Sequence, residues 1–167
     1  MKEHLVLEGA FPIAWTQAGL STAFSEASLL SALMALENDE KEREDSPLGR
    51  ELSRLDAKIN LILLLLGDLR REKPMPLQKP AVLSARGLAW QEPKPPAPGE
   101  TIGIEIFLNI RYPYPLRLQL HVDTIGSDGW TKGEWIDMDP LLQEQLQQYI
   151  FRAHRRKLAR QKYAGHA

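Results

Sequence analysis

The chain has 167 residues, of which 43% are hydrophobic and 26% charged, a length and mixture that can bury one core and fit a single domain with an appendage. A formal net charge of -1 gives no whole-chain attraction for nucleic acid or an anionic membrane. The absence of cysteine excludes disulfides, thiolate metal sites and a cysteine nucleophile. The four histidines, His4, His121, His154 and His166, lack the spacing of a helical metal pair and read as surface residues, so no metal is expected.

The N-terminus, MKEHLVLEGAFPIAW, breaks its short apolar run with Glu3 and Glu8, which is wrong for a secretory signal. A cytoplasmic location is the expectation. The stretches His4 to Leu7 and Pro12 to Thr16 are strand-like in composition. From about Ser21 to Arg43 a helix is expected, with Phe24, Leu29, Leu30, Leu33, Met34 and Leu36 on its apolar face, and the charged run Asn38 to Asp45 reads as a polar turn.

The next segment carries the strongest pattern. Leu48, Leu52, Leu55, Ile59, Ile62, Leu66 and Leu69 recur in alternating steps of four and three, a heptad seam. Ser46-Pro47 supplies an N-cap and an N1 proline, so the helix should run from about Pro47 to Arg71. Its first half has a charged exterior in Arg50, Glu51, Arg54, Asp56 and Lys58. Its second half adds Leu61, Leu63, Leu64 and Leu65 outside the seam, apolar surface that a two-stranded coil would leave in water. The expectation is therefore an assembly of more than two strands, a tetramer before a trimer, with the preceding helix as a sheath. The alternative is an intramolecular hairpin with that helix. The apolar run Leu61 to Leu66 is far short of the about 20 residues needed to cross a bilayer.

Beyond Lys73 the period changes to two. Ala81 to Trp90 reads as one strand, followed by the proline-rich loop QEPKPPAPGE. Ile102, Ile104, Ile106, Leu108 and Ile110 mark another strand, and Leu116, Leu118, Leu120 and Val122 a third, joined through RYPYP. Ser127-Asp128-Gly129 turns the chain into a fourth, Trp130 to Ile136. Asp139-Pro140 then opens a helix whose inward stripe is Leu142, Leu146, Ile150 and Ala153. Its basic end, with Arg152, Arg155, Arg156, Lys157 and Arg160, reads as a solvated helix terminus complementing the negative pole, with a nucleic-acid or phosphate patch as the alternative. Four strands are few for a closed barrel, and the N-terminal strands would complete it. That divides the chain into residues 1–19, which join the barrel, a helical insertion at 20–73, and a barrel with its C-terminal helix at 77–167.

The stretch LSARGLAW, Leu83 to Trp90, with the alternating strands and the helix LLQEQLQQYIFRAHRRKLAR, resembles a PilZ domain, a receptor or adaptor of cyclic di-GMP signalling. With the helical insertion, the chain looks most like the atypical, tetrameric branch of that family found in xanthomonads. The resemblance implies an α+β fold: a six-stranded antiparallel barrel with a C-terminal helix, here with an inserted long-helix pair forming an intermolecular coiled coil. It also implies a ligand motif of two parts, RxxxR and (D/N)xSxxG. Ser84 and Gly87 match the second part, but Val82 stands at the Asp/Asn position and offers no hydrogen-bonding side chain. Arg70 and Arg71 are adjacent rather than four apart, and neither Pro74 nor Met75 completes the first part. Each charge-assisted hydrogen bond lost is worth about 1.5–3 kcal/mol, so direct cyclic di-GMP binding is expected to be very weak or absent. Ser84 and Gly87 then read as a turn or bulge of the barrel. A receptor with relocated arginines, drawn from Arg70, Arg71 and Arg86, is the alternative. No nucleophile with its base and no pair of catalytic carboxylates stands out, so an enzyme is not expected. The implied role is a self-assembling signalling adaptor acting through protein partners in motility, type IV pilus or virulence regulation.

Overall fold

A computed structural model describes residues 5–17, 26–39, 46–70 and 73–165. Six strands form a closed antiparallel barrel: β1 (Val6–Thr16), β2 (Gln78–Ser84), β3 (Gly87–Gln91), β4 (Thr101–Ile106), β5 (Leu116–Ile125) and β6 (Trp130–Ile136). Around the barrel their order is β1-β2-β3-β6-β5-β4. Among the described residues three helices accompany them: α1 (Glu26–Asp39), α2 (Pro47–Arg70) and α3 (Pro140–Ala164). The expected α+β barrel with a C-terminal helix is present.

Period-two alternation builds the interior. Ile102, Ile104 and Ile106 on β4 and Leu116, Leu118, Leu120 and Val122 on β5 are all buried, and Leu83, Leu88 and Trp90 meet them from β2 and β3. Closure depends on β1. Its first part, Val6 to Pro12, pairs with β2, whereas Ile13 to Thr16 pair with β4. The change of partner falls at Pro12, which has no N–H to give to a ladder and whose carbonyl instead accepts from Phe107 N at 3.1 Å. The two N-terminal stretches that composition suggests are thus one continuous strand, and His4 lies outside the described residues.

Three further expectations need correction. Ala81 to Trp90 is two strands, because the chain reverses at Ala85-Arg86, where Ser84 Oγ accepts from Gly87 N at 3.0 Å and Arg86 N at 3.2 Å. The strand expected to reach Ile110 stops at Ile106; Asn109 Oδ1 accepts from Arg111 N at 2.9 Å, a local turn that leaves Ile110 exposed. Finally, α1 does not sheath α2. Its buried residues, Leu30, Leu33 and Met34, belong to the barrel core, and α1 packs on α3 and β5. The periodicity of α1 defined an apolar face but not which neighbour covers it. Ser21, Phe24, the charged run from Glu40 to Asp45, and Arg71 lie outside the described residues.

The contact between α1 and α3 is fixed by polar chemistry as well. Glu37 accepts from Asn109 Nδ2 at 3.2 Å and from Tyr149 Oη at 3.3 Å, and pairs with Arg156. Burial, with the Glu37 carboxylate beside it, pushes the Tyr149 phenol well above its ordinary value and holds it as a neutral donor. Asp139 caps α3 by accepting from Leu141 N at 3.0 Å, with Pro140 in the first turn, and Leu146, Tyr149 and Ile150 bury the helix on the barrel. His121 is exposed and His154 half-buried; His166 lies outside the described residues.

Candidate functional site

Two features concentrate the chemistry that the sequence singles out. The first is the β2–β3 turn. Ser84 Oγ, besides its two accepted bonds, donates to Gly87 O at 3.1 Å, so the hydroxyl is committed to the turn. Trp135 ties the turn to β6: its Nε1 donates to Ser84 O at 3.0 Å and its backbone N to Arg86 O at 2.8 Å. Gly87 lies against β6, and a Cβ built there would stand 2.2 Å from Gly133 O. The matched pair Ser84 and Gly87 therefore has a complete structural role.

We expect Gly87→Ala to part β3 from β6, at a cost of about 3 kcal/mol or more since backbone rather than a flexible side chain must move. Urea denaturation would measure it; an unchanged midpoint would mean that the two strands can separate freely at this point.

Beside this turn is an open groove of about 240 Å³ lined by Ala85, Arg86, Glu134, Trp135, Met138 and Gln143. Asp137, in the left-handed region at φ 52°, turns the chain from β6 toward α3 and so brings Met138 and Gln143 to the groove. Of the motif positions and the candidate arginines, Arg86 lines the groove. Val82 does not; it sits between the buried Ala81 and Leu83, so its side chain alternates to the outer side of β2. Arg70 ends α2 but its side chain is outside what the structure describes, as are those of Leu61, Leu64 and Leu65. The other groove residues, Glu134, Trp135, Met138 and Gln143, carry no motif, and they reach the turn only through the pairing of β3 with β6, which no local pattern reveals. Among the described residues no group of three or more His, Asp or Glu is placed to hold a metal.

The second feature is α2. Ser46 Oγ caps it by accepting from Gly49 N at 2.9 Å. Every seam residue is exposed in the single chain, from Leu52 at 37% to Leu69 at 82%, and Leu48, Leu55, Ile59, Ile62 and Leu66 lie between. Leu63 outside the seam is also exposed. Among the described elements, α2 has no extensive contact with the barrel, α1 or α3. A helix of 24 residues with an apolar stripe along its whole length and no covering surface among the described residues is built for contact with something else. No described helix is long and apolar enough to cross a membrane.

A closed six-stranded barrel capped by a C-terminal helix, with a ligand-motif turn between β2 and β3, defines a PilZ-type domain. The profile of the family described as "Atypical PilZ domain, cyclic di-GMP receptor" matches residues 27–163, and the chain belongs to that family. Among solved structures the chain is similar to a pathogenic protein from Xanthomonas campestris, at 29% identity and a TM-score of 0.74, over 95% of this chain and 93% of that one. That protein is described as a tetrameric PilZ domain self-assembled through an unusual helical bundle. Among curated proteins no relative was found.

Proposed function

We propose that the protein is a non-catalytic signalling adaptor that assembles through α2, as a tetramer, and acts through protein partners in cyclic di-GMP-related regulation of motility, pili or virulence. The observation that carries this reading is the uncovered apolar seam from Leu48 to Leu69. A bundle of four α2 helices would bury the seam and the additional Leu63, which a pair would leave wet. The tetrameric bundle of the Xanthomonas neighbour supports the same stoichiometry. Assembly would present four copies of each barrel surface and raise avidity without tightening any single contact. A cytoplasmic setting fits this role.

The same reading assigns weak or no direct binding of cyclic di-GMP. Ser84 Oγ is engaged within its own turn, and Val82 supplies no polar atom in place of Asp or Asn. An isothermal titration of the purified protein with cyclic di-GMP should be flat at micromolar concentrations. Saturable, stoichiometric binding would replace this reading with a second one, a direct receptor whose arginines have moved. Arg86 in the groove is what favours that alternative, and Arg86→Ala would then abolish the binding.

A further inference from the structure

The outer face of α3 has a pattern that neither the barrel nor the α2 seam uses. Leu141, Glu144, Gln148, Phe151, Arg155, Leu158 and Lys162 follow one another in steps of three and four, so they form a single stripe along the helix, and all are exposed. Phe151 is 51% exposed and Leu158 47%. Arg155 lies between them, its guanidinium 5.7 Å from the Phe151 ring centroid, so the cation and the apolar groups share one surface. C-terminal to Glu144 the chain has no Asp or Glu, while Arg152, Lys157 and Arg160 flank the stripe and Arg156 is held by Glu37.

Three kinds of partner could meet a basic helix, and the arrangement distinguishes them. A helix that lies on a membrane segregates its cations from its apolar face, whereas here Arg155 separates Phe151 from Leu158 on one face. A nucleic-acid surface has no use for Leu158, and the stripe offers one ring, Phe151, rather than a series of stacking platforms. A second copy of the same stripe, laid parallel, would set its cations against like cations, and laid antiparallel would offer the single Glu144 to a face that also carries Arg152, Arg155, Lys157 and Arg160. We propose that this stripe is a docking surface for an acidic amphipathic helix of a partner protein, one that places leucine-type residues on Phe151 and Leu158 and carboxylates beside Arg155. The 3-4 spacing suits a helix laid along α3, and Glu144 toward its other end asks for a partner cation there, which fixes the direction of the bound helix. The inference rests on the adaptor reading and supplies the chemistry of its partner.

The test uses the full chain and a labelled acidic amphipathic peptide of about 18 residues, five helical turns, followed by fluorescence anisotropy. Controls are a scrambled peptide, the same stripe with Lys for Glu, duplex DNA, and phosphatidylserine-containing vesicles. The acidic peptide should bind at least about tenfold more tightly than either peptide control, and the Phe151→Ala/Leu158→Ala variant should lose at least about tenfold. Arg155→Glu should weaken the acidic peptide and improve the Lys peptide. Both positions are exposed, so the fold should survive, as its melting curve would verify. Equal binding of acidic and scrambled peptides, no loss in the variants, or a preference for DNA or vesicles would overturn the proposal. Repeating the titration on the Ile59→Asp/Ile62→Asp chain separates the two readings. A wild-type chain that proves monomeric yet binds the peptide keeps this surface and loses the assembly, and a wild-type tetramer indifferent to the peptide does the reverse.

Discussion

Replacing Ile59 and Ile62 with aspartate should convert the assembly to monomers while leaving the barrel folded. The two positions are adjacent a and d sites at the centre of α2, each about half exposed in the single chain. In a bundle each would be surrounded by seam residues of other copies. Losing their burial removes about 3 kcal/mol per helix, and the introduced carboxylates face one another in a low-dielectric seam, which adds a comparable cost. Together these amount to about 6 kcal/mol per helix, or about four decades in association. The barrel should be spared, because none of the described α2 side chains belongs to its core. Sedimentation velocity would show one slow boundary for the variant, and far-ultraviolet circular dichroism would keep its strand signal. A variant that sediments as the wild type does would show that another surface holds the copies together.

The second large effect is expected inside the barrel wall, at Glu92. This residue is 7% exposed, yet it is charged. It pairs with Lys79 Nζ at 2.6 Å, accepts from Trp90 Nε1 at 3.1 Å, and accepts from Lys94 N at 3.4 Å. Glu92→Ala leaves the Lys79 ammonium, itself 17% exposed, without its carboxylate and the buried indole N–H without an acceptor. Removing one member of a buried pair costs about 3–5 kcal/mol, whereas replacing both with apolar groups is often near neutral. Thermal unfolding should therefore show a large fall in Tm for Glu92→Ala and a partial recovery when Lys79→Met is added. If the single variant melts with the wild type, water reaches Lys79 and the pair is not buried in solution.

These two effects differ in how visible they are in the sequence. The α2 seam is a local repeat, and its cap, span and apolar stripe can be read from Ser46-Pro47 and the 3-4 spacing alone. The same holds for α3, which Asp139-Pro140 opens. Glu92 gives no comparable signal. It sits at the edge of QEPKPPAPGE, where a glutamate looks solvated, and its burial depends on Lys79 from another strand and on Trp90 two residues before it. Barrel closure is equally nonlocal: Pro12 divides β1 between two partners, and nothing about a proline in a short run states which strands lie on either side. The β2–β3 reversal leaves only a slip of phase in the sequence: the inward residues are odd-numbered at Ala81 and Leu83 and even-numbered at Leu88 and Trp90, a change that a segment this short does not mark clearly as a turn. The ligand-motif positions were legible as residues, and Ser84 and Gly87 gain their meaning from hydrogen bonds and a close backbone approach that only the folded turn creates.

The adaptor account stands most directly on the mass of the wild-type chain in solution. Light scattering coupled to gel filtration, run over a wide concentration range, should give four times the 18.9 kDa protomer mass throughout. A protomer mass at every concentration would contradict the account, because the seam from Leu48 to Leu69 would then be exposed for some purpose other than joining copies of this chain.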